Sequence, residues 1–353
     1  MPRMSETPDR LSNARSRALR GLFRLPPGAL ARMAGPPVVR DGRTLEPEMK
    51  LLLRLMEIDA PPVESLPVPA GRRAIVAGSR EVGGIQPIGA VWDRVIDGPG
   101  GHLGVRCYVP RGLRERGPAL VFFHGGGFVY GGLDSHDAVC RFLAEQAGVR
   151  VVAVDYRLAP EHPYPAAVED CIAGYQWVLA NAEGLGVDRA RVAVGGDSAG
   201  GNLATVVAQH AVATRGLRVP AYQLLIYPVV DLAEERASRA TFGRGYFLTG
   251  DFMDLAKASY VPEGADLGDP RLSPLHGKLE GLPPAYVVTA GFDPLRDEGD
   301  EYAAALAGAG VPVEHVCEDG LIHSFANMVG LGRAAPAAMR RTARALRRAL
   351  HGA

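Results

Sequence analysis

Gly196-Asp197-Ser198-Ala199-Gly200 sets one serine between two glycines, each two positions away. A serine in that pattern serves as a nucleophile where the chain turns sharply from a strand into a helix. The glycines let the two elements pass close together, and the helix start offers free N–H groups and a positive dipole end. Alone the pattern is weak, because the chain holds 44 glycines in 353 residues. Its setting strengthens it. Val192–Val194 before it reads as a short buried strand, and Ser198–Ala213 reads as the helix it opens.

A serine hydroxyl needs a base, and the base needs an orienting acid. Asp293 lies in Gly291-Phe292-Asp293-Pro294-Leu295, and His323 lies in Asp319-Gly320-Leu321-Ile322-His323. Each follows an apolar run, as a residue on a loop at a strand end would. Pro294 suits the first turn of a helix, so Asp293 is also read as its N-cap. His315 competes as the base, but it falls in mid-strand. Asp297 and Glu298 are read as complements to a helix dipole or as ion-pair partners.

The third component is an electrophilic cradle. His124-Gly125-Gly126-Gly127 ends another apolar run. Glycine N–H groups there can turn toward a substrate unobstructed. Two of these N–H groups with that of Ala199 are the expected donors to a developing oxyanion. Which two of Gly125, Gly126 and Gly127 point inward is left open. His124 is read as a structural group holding the loop. No GxxxxGK[ST] or GxGxxG with a ribose acid is present, so the loop is not read as a nucleotide cradle.

The elements that must position these groups follow from hydrophobic runs. Val91–Ile96 and Leu103–Val109, joined at Gly98–Gly101, read as a β-hairpin. Ala119–Phe123, Val151–Val154, Val192–Val194, Gln223–Ile226, Ala285–Thr289 and Val313–Cys317 read as buried strands. Asp137–Ala147, Pro165–Ala182, Ser198–Ala213, Leu295–Ala307 and Ala335–Leu350 read as helices. Alternating strands and helices imply an α/β fold with a mostly parallel sheet covered on both faces. Residues 91–230 and 285–353 form this core. Residues 231–284 do not fit the repeat and are expected as an inserted cap segment. Residues 46–90 are expected as an N-terminal cap segment, with Met49, Leu52, Leu53 and Met56 on one face of a helix. Residues 1–45 are expected as a loosely ordered extension with a basic helix near Ser12–Phe23.

Composition excludes several classes. Thirty-nine cationic and 39 acidic side chains leave no basic surplus, which argues against a nucleic-acid partner. No apolar stretch is long enough for an integral membrane segment. Four scattered cysteines form no metal pattern, so no metal and no cofactor are expected. The N-terminus lacks the apolar core of a signal peptide, and the expected location is cytoplasmic.

Together HGGGFVYG (124–131), YRLAPEHPYPAA (156–167), GDSAGGN (196–202), DPLRDEG (293–299) and the His323 loop resemble the hormone-sensitive-lipase-like esterases of the α/β-hydrolase superfamily, in the branch with Asp197 before the serine. The chain order Ser198, Asp293, His323 is also theirs. The resemblance spans about residues 47–350. It implies an eight-stranded, mostly parallel sheet with a helical cap, and a serine carboxylesterase acting on short- to medium-chain esters. Ser198 would be nucleophile, His323 base and Asp293 acid, with Gly125, Gly126 and Ala199 as oxyanion donors. His124, Gly127, Asp197, Gly196 and Gly200 would support the motifs. The expected partner is a small-molecule ester, with a homodimer left open. Fold and triad alone do not choose between esterase, amidase, lactonase and peptidase, nor exclude a non-catalytic ligand-binding relative. Arg157 and Glu161 are expected in buried structural ion pairs.

Overall fold

The structure is a computed structural model that describes residues 10–59, 61–113 and 116–352. Its centre is an eight-stranded sheet: β3 (Ala90–Gly98), β4 (Gly101–Val109), β5 (Gly117–Phe123), β6 (Arg150–Asp155), β7 (Val187–Asp197), β8 (Gln223–Ile226), β9 (Ala285–Phe292) and β10 (Val313–Ile322). The order across the sheet is β10-β9-β8-β7-β5-β6-β4-β3. The six strands from β10 to β6 run parallel, and β4 and β3 close the edge antiparallel. This is the expected mostly parallel eight-stranded α/β sheet.

Side chains alternate across each strand, so a strand buried on both faces is apolar throughout. In β5, Leu120 and Phe122 enter one core with Val151 and Ala193, while Ala119, Val121 and Phe123 enter the other with Val152 and Val194. Helices α5 (Asp137–Ala147) and α11 (Ala334–His351) cover the first face. Helices α6 (Ala166–Ala180) and α7 (Ala199–Ala213) cover the second. Helix α10 (Arg296–Gly308) packs on the same second face, burying Tyr302 and Leu306 there.

The N-terminal expectation needs correction. The described part of residues 1–45 is not loose. It holds α1 (Arg10–Leu22), which is the basic helix expected near Ser12–Phe23, then α2 (Pro27–Ala34) and a small hairpin, β1 (Val39–Arg40) with β2 (Arg43–Thr44). Phe23, Leu30, Ala34 and Leu45 are buried in the main core. Sequence periodicity missed this because single apolar side chains, not a continuous face, tie the segment down. Helix α3 (Pro47–Asp59) buries Met49 and Leu52 in the same core, but Met56 is exposed. A further helix, α4 (Val68–Gly83), was not expected at all; its Pro-, Gly- and Arg-rich composition hides a weak periodicity.

Residues 231–284 carry two helices, α8 (Ala237–Phe242) and α9 (Gly250–Tyr260). Thr249 caps α9 by accepting the Phe252 N–H at 3.0 Å. Phe252 stacks on Tyr130 and Tyr260 on Phe128, with centroids 5.5 and 3.9 Å apart, so α9 lies over the loop after β5. Among the described residues no helix is long and apolar enough to cross a membrane.

Candidate active site

Strand β7 leads directly into α7, and Ser198 occupies the junction with φ 54° and ψ −120°. This left-handed backbone is strained for a residue with a Cβ, and it is the conformation of a nucleophile at a sharp turn. Two glycines make the turn fit. A Cβ on Gly200 would overlap the carbonyl of Phe123, and one on Gly196 would overlap the carbonyl of Gly200. The Ser198 N–H donates to the Ile226 carbonyl at 2.9 Å, and its carbonyl accepts from Val229 at 3.2 Å. The end of β8 therefore fixes the serine backbone.

His323 follows β10 and Asp293 follows β9, as their positions in the sequence required. His323 Nε2 lies 3.0 Å from Ser198 Oγ, and Nδ1 lies 2.7 Å from Asp293 Oδ2. All three are buried: Ser198 is 7%, His323 3% and Asp293 0% exposed. Asp293 Oδ1 accepts the Leu295 N–H at 2.9 Å, which fixes the carboxylate plane. Asp293 is thus not the helix N-cap; that position is Leu295, and Pro294 precedes the helix. The Tyr227 ring packs 4.5 Å from His323, and its hydroxyl accepts the Ala326 N–H at 3.3 Å. His315 lies elsewhere, bound to Asp300 at 2.9 Å.

The glycine loop needs a second correction. The Gly125 N–H already donates to Asp197 Oδ1 at 2.9 Å, so it is not free to serve an oxyanion. The N–H groups of Gly126, Gly127 and Ala199 have no acceptor among the described residues. His124 holds the loop as expected. Its Nδ1 donates to the Gly125 carbonyl at 2.8 Å, its ring stacks on Tyr156 at 4.2 Å, and its carbonyl accepts the Tyr156 hydroxyl at 2.7 Å. Burial lowers its pKa to about 3, so it is neutral and is not a competing base.

A cavity opens from Ser198 toward α9, with Leu248, Phe252 and Met253 on its apolar side and Arg236, Arg239 and Lys257 on its polar side. Of the other aromatic residues in this segment, Phe242 is buried in the main core with Tyr246 against it, and Phe247 is exposed. Leu52 and Met56 do not line it. A second, larger depression of about 490 Å³ lies by Trp92 and Arg106. It contains no triad residue, and its Arg106 side chain pairs with both Asp93 and Asp134.

The YRLAPEHPYPAA segment is structural. Arg157 pairs with buried Asp170 at 2.8 Å. Glu161 pairs with Arg72 of α4 at 2.7 Å and is half exposed, so this second pair is not buried as expected. Arg72 also donates to the Val129 and Ala159 carbonyls, tying α4 to the site loops.

Asp297 accepts the Ser238 N–H at 2.8 Å and pairs with Arg296, a structural role as read from the sequence. Glu298 differs from its expectation. It is buried beside the cavity, where its carboxylate accepts the Val230 N–H at 2.8 Å, and burial raises its pKa from 4.5 to about 8. A carboxyl with a raised folded pKa keeps its proton in the folded chain after the unfolded chain has lost it. Stability from this group is therefore full below pH 4.5 and is lost as pH rises toward about 8. Glu298→Gln keeps the carbonyl acceptor and removes the ionisation. Its Tm should match wild type near pH 4.5 and exceed it by a growing margin up to pH 8. Thermal melts across that range check this, and a margin independent of pH would contradict it.

The site and fold have close relatives. A family model described as the α/β-hydrolase fold matches residues 120–327. A carboxylic ester hydrolase of Mycobacterium tuberculosis is 42% identical over 323 residues, covering 89% of this chain and 85% of that one. The chain belongs to the hormone-sensitive-lipase-like esterases of the α/β-hydrolase superfamily. An ethyl acetate hydrolase of Pseudomonas putida is 38% identical to this esterase, covering 81% of this chain and 93% of that one. A solved ester hydrolase from the Lake Arreo metagenome, in complex with a bipyridine phosphonate derivative, superposes on it with a TM-score of 0.83 at 43% identity, covering 86% and 98% of the two chains. An esterase of the archaeon Pyrobaculum calidifontis superposes with a TM-score of 0.82 at 41% identity, covering 86% and 98%.

Proposed function

We propose that this carboxylic-ester hydrolase cleaves small esters of short- to medium-chain acids through an acyl-enzyme on Ser198. The observation that carries the reading is the single imidazole of His323 bridging the Ser198 hydroxyl and the Asp293 carboxylate at 3.0 and 2.7 Å. His323 Nε2 takes the Ser198 proton as Oγ attacks the ester carbonyl. Asp293 holds the ring with Nδ1 protonated and stabilises the imidazolium that forms. The developing oxyanion is met by N–H groups of Gly126, Gly127 and Ala199, with Gly125 excluded by its bond to Asp197. His323 then protonates the leaving alcohol, and afterwards activates the water that releases the acid. None of these steps needs a metal or a cofactor.

The cavity favours a limited acyl chain. Phe252 and Ala256 of α9 lie against Gly127, so the roof sits directly on the loop beside the nucleophile. Each methylene buried there adds about 0.8 kcal/mol until the space is filled. With 4-nitrophenyl esters from C2 to C16, kcat/KM should peak at about C4–C8, with equal rates in EDTA. Phe252→Ala should move the peak to longer chains. A profile rising to C16 with activation at an oil–water interface, or loss of activity in EDTA reversed by a metal, would overturn the reading.

A further inference from the structure

His136 was not singled out by the sequence, yet it lies beneath the reactive centre. It precedes α5, is 4% exposed, and faces Asp197, which is 1% exposed and immediately precedes the nucleophile. His136 Nε2 is 3.2 Å from Asp197 Oδ1 and 3.3 Å from Oδ2. On the other side of the ring, Nδ1 is 2.9 Å from Ser135 Oγ, and that hydroxyl donates to the Gly132 carbonyl at 3.0 Å.

The protons can be counted. Ser135 has one hydroxyl proton; directed at the Gly132 carbonyl, it leaves the oxygen to accept from Nδ1–H of His136. The Asp197 carboxylate has none to give, so Nε2 carries one as well. Asn327 agrees with this count. Its Nδ2 lies 3.5 Å from His136 Nε2 while its Oδ1 lacks a partner among the described residues. Exchanging the isosteric amide atoms aims Oδ1 at the His136 Nε2–H and satisfies it. Burial pushes the Asp197 carboxyl up, but the His136 charge and the His136 and Gly125 hydrogen bonds outweigh it and hold it below the usual range.

We propose that His136 is a positioning residue: as an imidazolium it orients Asp197, which fixes the Gly125 amide and so aims the Gly126 and Gly127 N–H groups at the Ser198 reaction centre. Gly125 is held at both ends, its N–H by Asp197 and its carbonyl by His124. Gly126 and Gly127 follow with φ 116° and 62°, conformations in which glycine has wide freedom and the preceding peptide sets the direction. The inference rests on the esterase reading above and adds an oxyanion-loop clamp to it.

His136→Leu would leave Asp197 as an uncompensated buried charge and would test folding as much as catalysis. His136→Gln is the decisive variant, because it keeps a donor to Asp197 and removes the charge. Kinetics are measured per active site, counted by stoichiometric release of nitrophenolate from a 4-nitrophenyl phosphonate. Losing one oxyanion donor costs about 10²–10³-fold in comparable enzymes, and misaiming it costs less. His136→Gln should lower kcat per titrated site by about 10–100-fold with KM within threefold. Inhibition by a trifluoromethyl ketone, which mimics the oxyanion, should weaken by the same factor. His136→Gln with Asp197→Asn, which removes both charges, should recover several-fold over His136→Gln alone. Ring ¹⁵N spectra of the full chain at pH 7, assigned by difference from His136→Gln, should show both His136 nitrogens protonated. A kcat per site within twofold of wild type, a neutral His136 ring, or a loss confined to the titratable fraction would overturn the proposal. A wild-type enzyme that releases no nitrophenolate would remove the esterase reading itself, and the proposal with it.

Discussion

Ser198→Ala is expected to lower kcat by roughly 10⁴–10⁶-fold while leaving the fold intact. That loss corresponds to about 5–8 kcal/mol of transition-state stabilisation. It follows from the geometry: Ser198 Oγ is the hydroxyl that faces His323 Nε2, at 3.0 Å. The backbone at 198 stays strained in the variant, because alanine keeps the Cβ that φ 54° disfavours. Ser198→Gly should be equally inactive but should melt higher than Ser198→Ala, since glycine relieves a cost of about 1–3 kcal/mol. Kinetics on titrated enzyme and thermal melts of both variants check this. Near-normal turnover in either would remove Ser198 from the centre of the account.

Asp293→Asn is expected to cost about 10⁴-fold, because an amide presented to His323 Nδ1 favours the wrong tautomer of the imidazole. Asp297→Asn, four residues on, should change kcat by less than tenfold. Asp297 binds Ser238 N–H and Arg296 and touches neither His323 nor Ser198, so its loss should appear in Tm. Paired kinetics on the two variants discriminate, and the reverse ranking would place the orienting acid at the wrong residue.

The parallel core was legible because buried strands read as continuous apolar runs. Gln223–Ile226 and Asp137–Ala147 have the bounds expected from the sequence, and Val192–Val194 lies inside the longer β7. The meeting of Ser198, Asp293 and His323 was legible for a different reason. Strand ends are where loops can carry reactive groups, and Ser198, Asp293 and His323 each follow a strand. Hydrogen bonds across the fold were not legible. Nothing in the spacing of Gly125, His136 and Asp197 says that the first gives its N–H to the third, or that the second meets it, because these contacts span 72 and 61 residues. The N-terminal segment failed for a related reason. Phe23, Leu30 and Leu45 are separated by Pro, Gly and Arg, and only tertiary packing shows that each one fills the core.

The most direct test of the account is covalent labelling. A 4-nitrophenyl alkylphosphonate should release one nitrophenolate per chain, abolish ester hydrolysis in proportion, and leave a phosphonyl group that peptide mapping by mass spectrometry places on Ser198. Ser198→Ala should release none. An adduct on another residue, or full labelling with turnover unchanged, would contradict the assignment of Ser198 as the nucleophile.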